Sequence, residues 1–392
     1  MIKILFIHHA TGWGGAPINM INIINSLDKK KYHVKVLLIK DSVVSEKLRE
    51  FDIEYALAKS FFYKKVYEYY SYSEGGYIKW FHIYSLFVKT ISWLLSRYYF
   101  AAKELKNHEC EIIHLNSSVL TDWLSPSSKK GKVIYHIQEP LTRGIFGLRY
   151  TFFRYQVNKY ADQIIAISED NATRINLPEK TTIIYNYAEK PNYLPTKSSF
   201  SSKKVLYLGG TDYIKGFFTL VNALDYLDND VKVYFGGDYT CNRKRSLLKQ
   251  FIRFIISYGK KKEAAIQKIR THPNAIVIGL TNSVNDYLDD VCCLVSPFSA
   301  SHFARTVIEA HLHHKPVIGS DVKGMDETIE HEKTGLIVPK DKPKLLAEAI
   351  NKLTSDSQFA KKMGEEGYNI AILKFTPKNV IELEILYNIL VS

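Results

Sequence analysis

A glycine-rich turn, Thr11-Gly12-Trp13-Gly14-Gly15-Ala16-Pro17, separates a first apolar run from the helical pattern Ile18–Leu27. Glycine at a strand-to-helix turn lets the backbone approach a ligand, and the helix start offers unpaired N–H groups with partial positive charge. Together these suit a phosphate. The spacing is not a dinucleotide fingerprint, because Gly12-x-Gly14-Gly15 lacks the third glycine and no acidic residue closes the next run, Lys35–Ile39. A counterpart stands in the second half, where Val205–Leu208 leads into Gly209-Gly210 and then Lys215-Gly216. A lysine there is ordinarily a solvated surface charge, but just before a helix it can also face an anion. Further on, Pro297–Ala310 places small and polar residues at a strand end and then opens a helix. Amides around Phe303, Ala304, Arg305 and Thr306 would again meet an anion, and Glu309, about one turn in, can accept hydrogen bonds from a ribose diol.

Other reactive side chains point less clearly to chemistry. His136 reads equally as a satisfied core residue and as a site residue. His311, His313 and His314 invite a metal reading, but only His311 and His314 have same-face helical spacing and no third ligand is evident. Cys110, Cys241 and the adjacent Cys292-Cys293 match neither a disulfide framework nor a Cys-x-x-Cys site, so they read as reduced thiols.

The elements that must position these residues follow from hydrophobic patterning. Short apolar runs alternate with helical stretches throughout, which predicts parallel βαβ units. Strands are expected at Lys3–His8, Lys35–Ile39, Ile112–Leu115, Lys132–Ile137, Gln163–Ile167 and Thr182–Tyr185, then at Val205–Leu208, Val231–Phe235, Ala275–Ile278, Cys292–Ser296 and Pro316–Ser320. The 392 residues, 46% hydrophobic, suit two α/β domains better than one core. The boundaries predicted are an N-terminal Rossmann-like domain over 1–190, a surface linker over 191–204, a second such domain over 205–375, and a helix over 376–392 able to dock back on the first domain.

Charge and aromatic content bear on partners. With 53 Lys and Arg against 40 Asp and Glu the net charge is +13, which favours anionic partners without choosing among them. Between Phe61 and Phe100 the chain concentrates aromatics, among them Tyr67, Tyr69, Tyr72, Tyr77, Trp80, Phe81, Phe87, Trp93 and Tyr98. Lys79, His82, Lys89 and Arg97 interrupt any bilayer span, so 61–100 reads either as peripheral membrane contact or as cover for the first sheet. No RNA-binding signature accompanies these aromatics, and nucleic acid is not an expected partner. The run Met1–Ile7 is too short for a signal peptide, which predicts a cytoplasmic protein, peripheral at most on the inner face of the plasma membrane.

The order of the motifs resembles the retaining glycosyltransferases of the GT-B fold, family 4. It comprises the Gly14-Gly15 turn, Tyr135-His136, Ala166–Glu169, Tyr185–Tyr187, Gly209 with Lys215-Gly216, Phe303–Ala310, Pro316–Ser320, Lys323–Glu327 and Thr334–Val338. The resemblance spans nearly the whole chain. It implies two doubly wound domains facing across a cleft, with a nucleotide sugar as donor, a saccharide or lipid-linked acceptor, and no metal or other cofactor. Lys215 would neutralise donor phosphates, Glu309 would bind the ribose, and His136 would lie beside the transferred sugar, making these three the expected catalytic residues. Gly14, Gly15, Gly209, Gly210, Ser301, Phe303, Ala304, Arg305 and Thr306 would complete the donor site. Two positions depart from the family pattern, Gly210 in place of an arginine and Ser301 in place of a glutamate, and both bear on donor identity. The rival readings are a sugar-nucleotide epimerase and a binding subunit with a decayed site.

Overall fold

The run Ile2–His8 forms a strand (β1) whose residues from Ile4 onward are all buried, as expected where a parallel sheet is covered on both faces. Its alternate side chains feed two cores. Leu5 and Ile7 join one cluster with Ile113, Trp123 and Tyr135, while Ile4 and Phe6 join another with Met20, Val36 and Tyr387. The computed structural model describes residues 1–9, 12–71, 83–144, 146–191, 200–240, 257–281 and 284–392. Thr11, Tyr72, Tyr77, Lys79, Trp80, Phe81, His82, Cys241 and most of the expected linker lie outside the described residues. The chain forms two compact units, one of Met1–Ala188 with Thr376–Ser392, the other of Glu189–Phe375.

In the first unit β1 is joined by β2 (Tyr32–Leu38), β3 (Tyr55–Leu57), β4 (Ile112–Leu115), β5 (Lys132–Ile137), β6 (Gln163–Ala166) and β7 (Thr181–Ile183). They pair in parallel in the order β3-β2-β1-β4-β5-β6-β7. In the second unit β8 (Lys204–Tyr207), β9 (Lys232–Gly236), β10 (Ala275–Gly279), β11 (Cys293–Ser296), β12 (Val317–Ser320) and β13 (Gly335–Val338) pair in parallel in the order β10-β9-β8-β11-β12-β13. Two strands were not expected from the sequence. β3 has three residues, too few for a readable alternation, and β13 is an edge strand that opens on Gly335.

Helices that bear on the site are α1 (Gly15–Ser26), α2 (Ile83–Leu95), α3 (Leu148–Tyr160), α4 (Phe217–Ala223), α5 (Arg305–Leu312) and α6 (Asn379–Val391). The chain's last helix, α6, packs on the first unit, where Val380, Leu383 and Tyr387 enter the cluster around Ile4 and Phe6. Phe200, within the stretch expected to be linker, is buried in the core of the second unit. Part of the aromatic segment covers the first unit. Phe62, Tyr63 and Tyr67 pack into the first unit, with Phe62 stacked on Phe100 and Tyr63 on Trp123 at 4.3 and 5.3 Å, while Phe87, Leu94 and Tyr98 remain exposed. Among the described residues no helix is long and apolar enough to cross a membrane.

Candidate active site

Each sheet reverses its strand order once, between β1 and β4 and between β8 and β11. At such a reversal the loops leaving adjacent strands diverge, which makes the carboxyl ends of those strands the expected ligand position. The loops carrying the sequence candidates leave these strands.

In the second unit the loop after β8 is shaped by glycine. The Tyr207 ring occupies the space that a side chain at Gly209 would need. Gly210, with φ 57°, lies backbone to backbone against Gly237 in the loop after β9, so an arginine here would meet a left-handed backbone. Gly216, with φ 75°, starts α4 pressed against the Pro297 carbonyl, and Ser299 N–H donates to the Ile214 carbonyl at 2.9 Å. These contacts draw the loop bearing Lys215 onto the loop that follows β11. There His302 stacks on Phe298, 4.4 Å between ring centres, and its N–H donates to the Lys323 carbonyl at 3.0 Å. Burial, reinforced by the nearby Lys215 charge, holds the His302 pKa down to about 4, so the ring is neutral at pH 7.

Arg305 opens α5, and its Nε donates to Glu309 Oε1 at 2.8 Å one turn later. Only 15% of the arginine side chain and 22% of the glutamate side chain are exposed. Among the described residues, Arg305 Nη1 is buried without a hydrogen-bond partner. A buried guanidinium N–H left open is costly unless an acceptor arrives, and at a helix start that acceptor is expected to be an anion.

In the first unit the glycine turn differs in kind. Among the described residues nothing lies within 4 Å of a Cβ placed at Gly12, Gly14 or Gly15, and Gly14 and Gly15 do not have positive φ. The protein's own packing therefore does not require glycine there, whereas close approach of a ligand would. Gly14 precedes α1 in extended conformation without a side-chain cap. Below the turn lies a chain of buried polar groups. His8 Nδ1 is 3.2 Å from Asn116 Nδ2, and Gln138 Nε2 donates to Asn116 Oδ1 at 3.0 Å. The same Gln138 amide lies 3.2 Å from His136 Nε2, His136 Nδ1 lies 3.1 Å from His114 Nε2, and His114 Nδ1 lies 2.8 Å from Tyr387 Oη. His136 is 1% exposed. Burial lowers its pKa to about 3 and that of His8 to about 4. At the mouth, the Glu139 carboxylate accepts from the Ser117 hydroxyl at 2.8 Å and from the Ser118 N–H at 3.0 Å.

Residues 196–370, a span that takes in β8 to β13, match the family Glycosyl transferases group 1. An uncharacterized glycosyltransferase of Methanocaldococcus jannaschii is 24% identical over 71% of this chain and 75% of its own length. CapM, a capsular polysaccharide biosynthesis glycosyltransferase of Staphylococcus aureus, is 30% identical over 30% of this chain and 31% of its own length. Among solved structures, Anabaena HepE in complex with UDP and glucose superposes with a TM-score of 0.77 at 19% identity, covering 99% of each chain. The lipopolysaccharide outer core galactosyltransferase WaaB gives 0.63 at 16% identity over 98% of this chain and 100% of its own. The chain is a glycosyltransferase with the GT-B fold.

In this glycosyltransferase the second unit gathers Gly209, Gly210, Lys215, Ser301, Phe303, Ala304, Arg305, Thr306 and Glu309 in the loops after β8 and β11 and the first turns of α5. Gly14, Gly15 and His136 belong to the first unit. His136 sits within β5, below the strand end rather than at it. Asn116, Gln138 and Glu139 escaped the sequence reading, although the polar run Asn116-Ser117-Ser118 directly after an apolar strand was a signal for a strand-end site. The other histidines have separate partners. His311 bridges the Lys315 and Thr328 carbonyls, His313 meets Asp289 at 3.0 Å, and His314 stacks on Tyr368. Among the described residues no three His, Cys, Asp or Glu side chains gather as a metal site.

Proposed function

We propose that this glycosyltransferase moves a hexose-type sugar, with retained anomeric configuration, from a UDP- or GDP-sugar to a saccharide or lipid-linked acceptor in bacterial surface polysaccharide assembly. The observation that carries the reading is the partly buried Arg305–Glu309 pair at the start of α5, with one guanidinium N–H unpartnered, on the same strand-end face as Lys215. As the bond to the donor diphosphate breaks, negative charge grows on the leaving oxygens. Lys215, Arg305 and the amides of Phe303, Ala304 and Thr306 would stabilise that charge, with no reorganisation needed at the moment of reaction. Glu309 would accept from the ribose hydroxyls.

Gly209 and Gly210 would let the protein backbone lie close to the donor. Ser301, shorter than a glutamate and uncharged, would leave room for an altered or N-acetylated sugar. Gly14 and Gly15 would admit the substrate to the first unit, and His136, kept neutral by burial, would act there by orienting Gln138. No metal or other cofactor is invoked, since the cations and helix start supply the positive potential. HepE has been solved with UDP and glucose, and CapM is named for capsular polysaccharide biosynthesis, which supports the donor class and the setting. In this reading the enzyme is cytoplasmic and works at the inner face of the plasma membrane. Incubation with UDP-, GDP- and ADP-sugars tests it: turnover of at least one UDP- or GDP-sugar is expected, and inertness toward every donor would refute it.

A further inference from the structure

We propose that the face formed by α2, the residues that continue it to Phe100, and α3 is a docking surface for an anionic bilayer. The proposal rests on the membrane-face part of the functional reading. On α2 and its continuation, Phe87, Ile91, Leu94 and Tyr98 recur at helical spacing and all are exposed, Phe87 by 62%. On α3, Leu148, Phe152 and Tyr155 do the same, Leu148 by 76%. The helices adjoin, because the buried Trp93 ring of α2 meets Phe152 edge-on at 5.4 Å. Isolated exposed apolar residues are normal, but two adjacent helices with such stripes mark an interaction surface.

Charge selects the occupant. Residues 83–103 and 140–160 contain no aspartate or glutamate, yet they carry Lys89, Arg97, Lys103, Arg143, Arg149, Arg154 and Lys159. A surface with cations of one sign repels a second copy of itself and attracts anionic headgroups. Arg97 lies beneath this surface rather than on it: it is 8% exposed, 5.0 Å from the Trp93 and Tyr160 rings, and its charge faces the buried Asp122. The exposed cations therefore carry the attraction. Aromatic rings beside lysine and arginine are suited to the headgroup level, where apolar bodies enter the acyl boundary and charges stay wet.

The test is co-sedimentation of the full chain with vesicles of phosphatidylcholine containing phosphatidylglycerol, against phosphatidylcholine alone. Preferential binding to the anionic vesicles, weakened by salt, is expected. Arg143→Gln with Lys159→Gln should lower the partition coefficient roughly 30-fold, taking about a kilocalorie per mole for each cation. Phe87→Ser with Leu148→Ser should lower it on the order of tenfold or more. All four positions are exposed, and an unchanged near-ultraviolet circular dichroism spectrum would show that the fold is intact. Equal sedimentation with both vesicle types, or wild-type binding by both variants, would overturn the proposal. So would a self-association in sedimentation velocity that Phe87→Ser with Leu148→Ser abolishes, which would give the face to a second copy. The assay needs neither nucleotide nor acceptor, so its failure would leave donor binding standing, and failure of donor turnover would leave the vesicle result standing.

Discussion

Arg305 and Glu309 hold each other in the free protein, and each has a second task in the proposed complex. Their hydrogen bond fixes both side chains near the start of α5 before any ligand arrives, which lowers the ordering cost on binding. Lys215 is held differently, by a loop pinned at Gly216 and at the Ser299–Ile214 hydrogen bond. Lys215→Ala should therefore leave the fold intact and reduce turnover by about two orders of magnitude, the usual scale for one preorganised charge-stabilising group. Steady-state rates with the best donor check this, and near-full turnover would remove Lys215 from the mechanism. The buried histidines give a second expectation. The unfolded chain takes up protons below the ordinary histidine value of 6.5, whereas folded His8 and His136 do so only near 4 and 3. Their contribution is thus complete above pH 6.5 and is lost as pH falls, by about 2 kcal/mol each at pH 5. Urea unfolding at pH 7 and pH 5 should show this drop, and constant stability would contradict the burial of neutral rings.

At the scale of elements, the two glycine turns make opposite predictions. Gly15→Ala adds a methyl with no described atom within 4 Å, so stability should change by no more than about 0.5 kcal/mol while donor or acceptor affinity falls. Gly216→Ala places a Cβ against the Pro297 carbonyl on a left-handed backbone, so the second unit should lose stability before any question of binding arises. Thermal melts of both variants beside the wild type decide it. Much of this layer could be read from sequence. Runs such as Val133–Ile137 and Cys292–Val295 are apolar at nearly every position because a parallel sheet buries both faces, and that signal is local. β3 was hidden because three residues carry no period, and its place is set by pairing with β2. The donor candidates were legible as glycine and helix-start patterns, but the Arg305–Glu309 pairing depends on rotamers. The Asn116–Gln138–His136 chain was not legible, since it joins strand ends 22 residues apart. His136 reads equally as a core residue and as a site residue, and the structure shows it buried within β5 and joined to Gln138 and His114.

Across the whole molecule, the last helix ties the end of the chain to its beginning. α6 supplies Val380, Leu383 and Tyr387 to the cluster containing Ile4 and Phe6, and the Tyr387 hydroxyl meets His114. Ending the chain at residue 378 should cost the first unit on the order of 5 kcal/mol in buried apolar surface and leave the second unit little changed. Calorimetric unfolding should then show the first transition lowered alone, and a joint shift of both would contradict the division into units. The +13 charge acts at this scale too, drawing nucleotide sugars and anionic surfaces alike, so it cannot distinguish a specific donor site from general attraction. Glu309 can, because it is an anion and would repel the diphosphate unless it grips the ribose. Titration calorimetry of UDP and GDP into the wild type and Glu309→Ala therefore decides whether Glu309 holds the donor ribose. One nucleotide should bind the wild type, and the variant should bind it about 1.5 to 3 kcal/mol more weakly. Unchanged or tighter binding by the variant, or no binding of either nucleotide by the wild type, would contradict that role.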